Sequence, residues 1–142
     1  MSLEENKAVV RRLIDAWNTR NWAVFDELMV PDNVYHYGVT GEMVGREALK
    51  QEVIGGRNAF PDAQWAIEDM IGEGDKVVVR LTFSGTHRGE YMGIAPTNKR
   101  MTIGEVIIAR IVSGKFVEEW DFGDELGGLK QLGVVTIKTA SK

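Results

Sequence analysis

Two histidines, His36 and His87, and the run Glu118-Glu119-Trp120-Asp121 are the side chains of this 142-residue chain whose type and spacing point to chemistry. The chain has no cysteine, which removes thiol nucleophiles, disulfides and cysteine-bound metals together. The histidines stand far apart, with no HExxH and no closely spaced carboxylate–histidine set, so no metal site is expected. None of the serines, Ser2, Ser84, Ser113 and Ser141, lies in a G-x-S-x-G elbow. Gly72-Glu73-Gly74 lacks a third glycine in register, since Val77 stands there, and a hairpin turn accounts for both glycines. What remains is proton transfer by a carboxylate, which calls for no cofactor.

The acidic run closes a hairpin predicted over 110–121. If its turn holds an odd number of residues, with Gly114 in a left-handed bulge, then Glu105, Ile107 and Ala109 share a face with Glu119 and Asp121. A two-residue turn puts Trp120 on that face instead, and the sequence leaves both registers open. On the concave side of a curved sheet a carboxylate is desolvated and its pKa rises toward values useful for acid–base work. The plainer reading makes Glu118, Glu119 and Asp121 solvated charges at a strand end. His36 alternates with Tyr35 and Tyr37, so either the histidine or the tyrosines face inward. His87 opens a glycine-rich loop, a position that suits a pocket rim or plain solvent.

These side chains need elements to hold them. Val9, Val10, Leu13, Ile14 and Trp17 recur at helical spacing over 3–18, with Ser2 as N-cap and Glu4 and Glu5 in the first turn. A short second helix carries Trp22, Phe25, Leu28 and Met29 and stops at Pro31-Asp32-Asn33. A short strand over 34–37 and a helix over 46–59, with Ala48, Leu49 and Val53 inward, follow. Beyond Pro61 the period switches to two: strands are predicted over 63–71, 76–86, 100–112 and 115–122. Val77, Val79, Leu81 and Phe83 mark the buried face of the second of these. The segment 85–99 reads as a loop, 124–132 as a closing stretch and 136–142 as a loose tail.

Three helices followed by antiparallel strands make an α+β domain, and 142 residues suffice for one domain spanning 1–142 with room for an internal pocket. Seventeen basic and 21 acidic side chains give a net charge of -4, which argues against nucleic acid as a partner. The polar, acidic start and the absence of a long apolar run argue against a signal peptide and a membrane span; a cytoplasmic protein is expected. Val106, Ile108 and Val112 would face away from the pocket, an apolar surface that predicts a homodimer or higher even oligomer.

The stretch Ser84-Gly85-Thr86-His87-Arg88-Gly89-Glu90-Tyr91-Met92-Gly93-Ile94-Ala95-Pro96-Thr97-Asn98-Lys99-Arg100 resembles a segment of the SnoaL-like polyketide cyclases. So do Gly114-Lys115, Glu119-Trp120-Asp121, Gln131-Leu132-Gly133, Ala16-Trp17-Asn18-Thr19 and Pro31-Asp32-Asn33-Val34, so that the likeness spans about residues 5–133. The resemblance implies the cone-shaped α+β barrel of the ketosteroid-isomerase and nuclear-transport-factor-two superfamily: a curved antiparallel sheet packed on three N-terminal helices around an apolar pocket. It also implies cofactor-free aldol cyclisation, with Asp121 at the position of the family's acid–base aspartate, and it supports the odd-loop register. At the position of the helping histidine in anthracycline cyclases this chain has Ile107, and a pocket asparagine aligns approximately with His36. The expected site is therefore Asp121 with His36 and His87 orienting a small apolar or aromatic substrate, in a pocket shaped by Trp17, Tyr35, Met92, Glu105, Ile107 and Trp120. Hydrolase, dehydratase or isomerase chemistry, binding of a small hydrophobic ligand without catalysis, or a dimeric accessory module are the alternatives on the same scaffold.

Overall fold

Ser2 starts the first helix, α1 (Leu3–Thr19), through a reciprocal capping box: its side chain accepts from the Glu5 N–H at 3.1 Å, and its own N–H donates to Glu5 Oε2 at 2.7 Å. The computed structural model describes residues 2–38 and 41–138; the tail beyond residue 138 lies outside them. The buried face of α1 carries Val9, Val10, Leu13, Ile14 and Trp17, as the spacing predicts. Next come α2 (Ala23–Leu28), β1 (Met29–Tyr37), β2 (Gly41–Val44) and α3 (Arg46–Ala59). The rest of the chain forms β3 (Gln64–Glu73), β4 (Lys76–Thr86), β5 (Arg100–Val112), β6 (Lys115–Gly123) and α4 (Glu125–Gln131).

The six strands make one curved, unclosed sheet in the order β2-β1-β6-β5-β4-β3. β3 through β6 form an antiparallel meander, whereas β1 pairs with β6 in parallel, so the sheet is not antiparallel throughout. That pairing also corrects the expected second helix. Met29 is fully buried and opposes Phe116 as a strand residue, and Pro31 falls where the β1–β6 register shifts, a place that asks no ladder donor of it. Helix α1 packs on β3 and β4, α3 on β1, and α4 on β5. Val77, Val79, Leu81, Ile107, Ala109, Ile111 and Phe116 face the helices in the main core. A smaller apolar cluster of Phe60, Ala63, Phe83, Met101, Ile103 and Leu132 lies at the other end of the sheet. Among the described residues, no helix is long and apolar enough to cross a membrane.

The β5–β6 hairpin answers the register question in an unexpected way. Ser113 and Gly114 both have positive φ (50° and 77°), which makes a two-residue turn, with Val112 opposite Lys115 and Ile111 opposite Phe116. The register then shifts, so that Arg110 opposes Glu118 and Val117 is the extra residue of a bulge. Beyond the bulge Ile107 opposes Asp121, the pairing expected of an odd turn. The bulge, not the turn, turns Glu119 and Asp121 toward the helices and Trp120 away.

Candidate active site

A cavity of about 110 Å3 lies between the sheet, α1, α3 and α4, and its walls come from both apolar clusters. Trp17, Leu49, Val53, Phe60, Trp65, Phe83, Met101 and Ile103 supply the apolar lining. Tyr35, Tyr37, Tyr91, Glu52, Glu105, Asp121 and Glu125 supply the polar groups, and among the described residues no Lys, Arg or His lines the space. Glu52, Gly56, Tyr91 and Glu125 keep partial solvent exposure at the rim.

Asp121, 5% exposed, reaches this cavity from β6, and its Oδ2 accepts a hydrogen bond from Tyr35 Oη at 2.8 Å. Burial pushes its carboxyl up to about 6, against hydrogen bonds from Glu105 and Tyr35 that favour the ionised form. Glu105 comes from β5, two residues before Ile107 on the same face. As a residue it is half-buried, but its Oε1 is closed to solvent. Burial, followed by the charge of Asp121, raises its carboxyl well above the usual range. Glu105 Oε1 and Asp121 Oδ1 are both closed to solvent without a hydrogen-bond partner, and burial together with the neighbouring carboxylate favours the protonated form of Glu105.

A second carboxylate system closes the other side. Asp124 caps α4 by accepting from the Gly127 N–H at 3.0 Å, and Glu125 opens the helix. Gly128 lets α4 lie close on β5, because a Cβ there would meet Met101 Sδ at 2.5 Å. Glu125 then accepts from Tyr37 Oη and, at 2.9 Å, from Tyr91 Oη. Burial raises the pKa of all three tyrosines, so each stays a donor. Deeper in the core Asn33 Nδ2 donates to Glu119 Oε2 at 3.0 Å, and full burial raises Glu119 from its ordinary 4.5 to about 8. Among the described residues, no group of three or more His, Asp or Glu side chains is arranged to hold a metal ion.

Of the residues expected at the site, Trp17, Tyr35, Glu105 and Asp121 meet around the cavity. Ile107 opposes Asp121 across the β5–β6 pair but is packed into the main core rather than lining the space. His36 is placed elsewhere: Tyr35 and Tyr37 take the inner face of β1, so His36 points outward, 2.8 Å from Glu118 Oε2 and stacked 5.3 Å from Trp120. Trp120 shares that outer face for the same reason of alternation. His87 is fully buried behind Phe60, 5.5 Å away, and does not line the cavity. Its Nδ1 accepts from the Thr97 N–H at 3.2 Å, which leaves the neutral ring's proton on Nε2. Met92 sits at the tip of a tight turn, 47% exposed with φ 52°, while its neighbour Tyr91 enters the wall. Tyr37, Tyr91 and Glu125 were not singled out by the sequence, since each comes from a different segment and only the fold joins them.

A family model described as SnoaL-like polyketide cyclase matches residues 7–132. The nogalonic acid methyl ester cyclase of Streptomyces nogalater is 32% identical over 123 residues, covering 85% of this chain and 92% of its own. The aklanonic acid methyl ester cyclase DauD of Streptomyces sp. (strain C5) is 30% identical over 131 residues, covering 88% and 80% respectively. Among solved structures, AclR of Streptomyces galilaeus, described as a hydroxylase candidate, superposes with a TM-score of 0.85 at 32% identity, over 96% of this chain and 89% of that one.

Proposed function

The chain belongs to the SnoaL-like polyketide cyclase family, and on that premise we propose that it closes a ring in a small carbonyl-containing, polyketide-like substrate by aldol addition, with Asp121 as general acid and base and no cofactor. One observation carries this reading: Asp121 is buried in an apolar cavity, within hydrogen-bonding reach of a second carboxyl group, with its pKa raised to about 6. Ionised Asp121 takes the proton next to a carbonyl, and the C–H electron pair becomes the C=C of an enolate. The enolate carbon attacks a second carbonyl of the same molecule, and the new alkoxide takes the proton back from Asp121. Protonated Glu105 takes the polarising role first expected of the histidines, which do not line the cavity. A void near 110 Å3 is the size that accepts about one aromatic ring, so a larger substrate extends through the rim.

Replacing Asp121 by Asn keeps the shape and removes the proton carrier. Turnover of nogalonic or aklanonic acid methyl ester is expected to fall at least about a hundredfold with binding little changed. Full turnover in Asp121→Asn would remove Asp121 from the chemistry, and an unaltered chain that binds these esters without turning them over would be a ligand-binding module. The likeness to AclR supports a second reading, hydroxylation, and oxygen uptake during turnover would favour it.

The reading includes a homodimer. Ile71, Val78, Ile108, Trp120 and His36 lie in one cross-strand row on the outer face, and the neighbouring row carries Val106 beside Phe122, which is 61% exposed. An apolar band across four strands fits burial against a second copy.

A further inference from the structure

We propose that the Trp17 indole N–H is the docking point for a substrate carbonyl oxygen, and hence that the cavity takes an uncharged ketone or ester rather than a free carboxylate. The docking stands by itself; its role in stabilising an enolate rests on the acid–base reading above. Trp17 is 4% exposed, lines the cavity, and its Nε1 is closed to solvent without a hydrogen-bond partner. A buried donor left unpaired is costly, and such a group in a ligand cavity points to an acceptor brought by the ligand.

The neighbouring polar groups narrow what that acceptor is. The hydroxyls of Tyr35, Tyr37 and Tyr91 are already committed to Asp121 and Glu125. The remaining polar side chains of the wall include four carboxyl groups, with no basic side chain among the described residues to balance them. An entering carboxylate would face this lining with no cation to receive it, whereas a neutral carbonyl needs only one donor. Trp17 is oriented by an edge-to-face contact with Trp65, ring centres 5.5 Å apart at 68°. Any N–H···π contact there is weak and yields to a carbonyl oxygen.

During turnover the same bond strengthens. As Asp121 removes the α-proton, the carbonyl π pair moves onto oxygen, and the N–H meets the developing negative charge in a site of low dielectric. When the new C–C bond forms, that carbonyl is restored and the proton passes from Asp121 to the alkoxide, so atoms and charge balance.

The test uses two probes of the same shape, 1-tetralone with a carbonyl and tetralin without one, whose aromatic ring fits the void while the second ring extends toward the rim. The chain has four tryptophans, so an 15N-labelled sample gives four indole N–H signals. The Trp17 signal is assigned from its loss in Trp17→Phe or, should that variant not fold, by elimination using Trp22→Phe, Trp65→Phe and Trp120→Phe. The expected result is a downfield shift of the Trp17 signal with 1-tetralone but not with tetralin. Trp17→Phe should bind 1-tetralone about tenfold more weakly while holding tetralin as before. The proposal is overturned if no tetralone-specific shift appears, whether because the ketone does not enter or because it leaves the N–H untouched. Equal losses for both probes in Trp17→Phe overturn it too, since they report shape alone. A tetralone-specific shift together with full turnover in Asp121→Asn would sink the acid–base reading and leave the docking point standing.

Discussion

Tyr35 Oη donates to Asp121 Oδ2 at 2.8 Å across the parallel β1–β6 pair, joining residues 86 positions apart. The bond opposes burial: it favours the carboxylate, while the apolar walls favour the acid. Since the base must be ionised, kcat/KM should rise as pH passes about 6. Tyr35→Phe removes a donor that stabilises the charged form, so the acidic limb of the pH–rate profile should move to higher pH. A limb that stays in place would mean that Tyr35 does not tune the base.

Glu119 makes a prediction about stability. Its folded pKa, about 8, lies above the ordinary 4.5, so between these values the folded chain holds a proton that the unfolded chain releases. Stability contributed by this site is therefore fully present below pH 4.5 and falls as pH rises to 8, by at most about 4–5 kcal/mol. Glu119→Gln removes the titration, and its amide offers a donor near Asn33 Oδ1, which is buried without a partner. Urea titrations should show the variant gaining over wild type at pH 8 and converging toward it at pH 5. A wild-type protein that gains stability over this range would contradict the assignment.

Outward-facing His36 should be dispensable for chemistry. His36→Asn breaks the contacts with Glu118 and Glu42 and the stack on Trp120. Partly exposed polar contacts of this kind contribute about 0–1 kcal/mol, so a small drop in Tm with turnover inside about twofold is expected. A tenfold loss of kcat would return His36 to the mechanism.

Phe122 tests the assembly. Phe122→Glu places a charge beside the outer apolar band and should convert the proposed dimer to monomer in sedimentation at micromolar concentration. A monomeric wild-type protein under the same conditions rejects the dimer itself.

Much of the fold was legible because periodicity is local. The face of α1, helix α3 and the alternation of β4 and β5 need only neighbouring residues to announce themselves. The start of β1 was not, because Met29 becomes a strand residue only by pairing with Phe116, far along the chain. At the site, Asp121, Glu105, Tyr35 and Trp17 could be reached from parity and resemblance. His36 was drawn in by its chemistry, but on β1 alternation decides the face, and Tyr35 and Tyr37 are stacked on the inside. Tyr91 and Glu125 carried no local signal, since their meeting depends on the close approach that Gly128 permits.

The parallel pairing of β1 with β6 also fixes when the site can exist. Tyr35 and Asp121 are 86 residues apart, and Tyr37 and Glu125 are 88 apart, so the acid cluster is closed by long loops. Contacts of such high sequence separation form late, after the β3–β5 meander and the helices have somewhere to pack. A chain growing on the ribosome therefore carries no assembled acid cluster until α4 has emerged. In the finished molecule the order runs backwards: detachment of β1 from β6 separates Tyr35 from Asp121 while the meander is still intact, so on the proposed acid–base reading heat should abolish turnover before it abolishes the sheet.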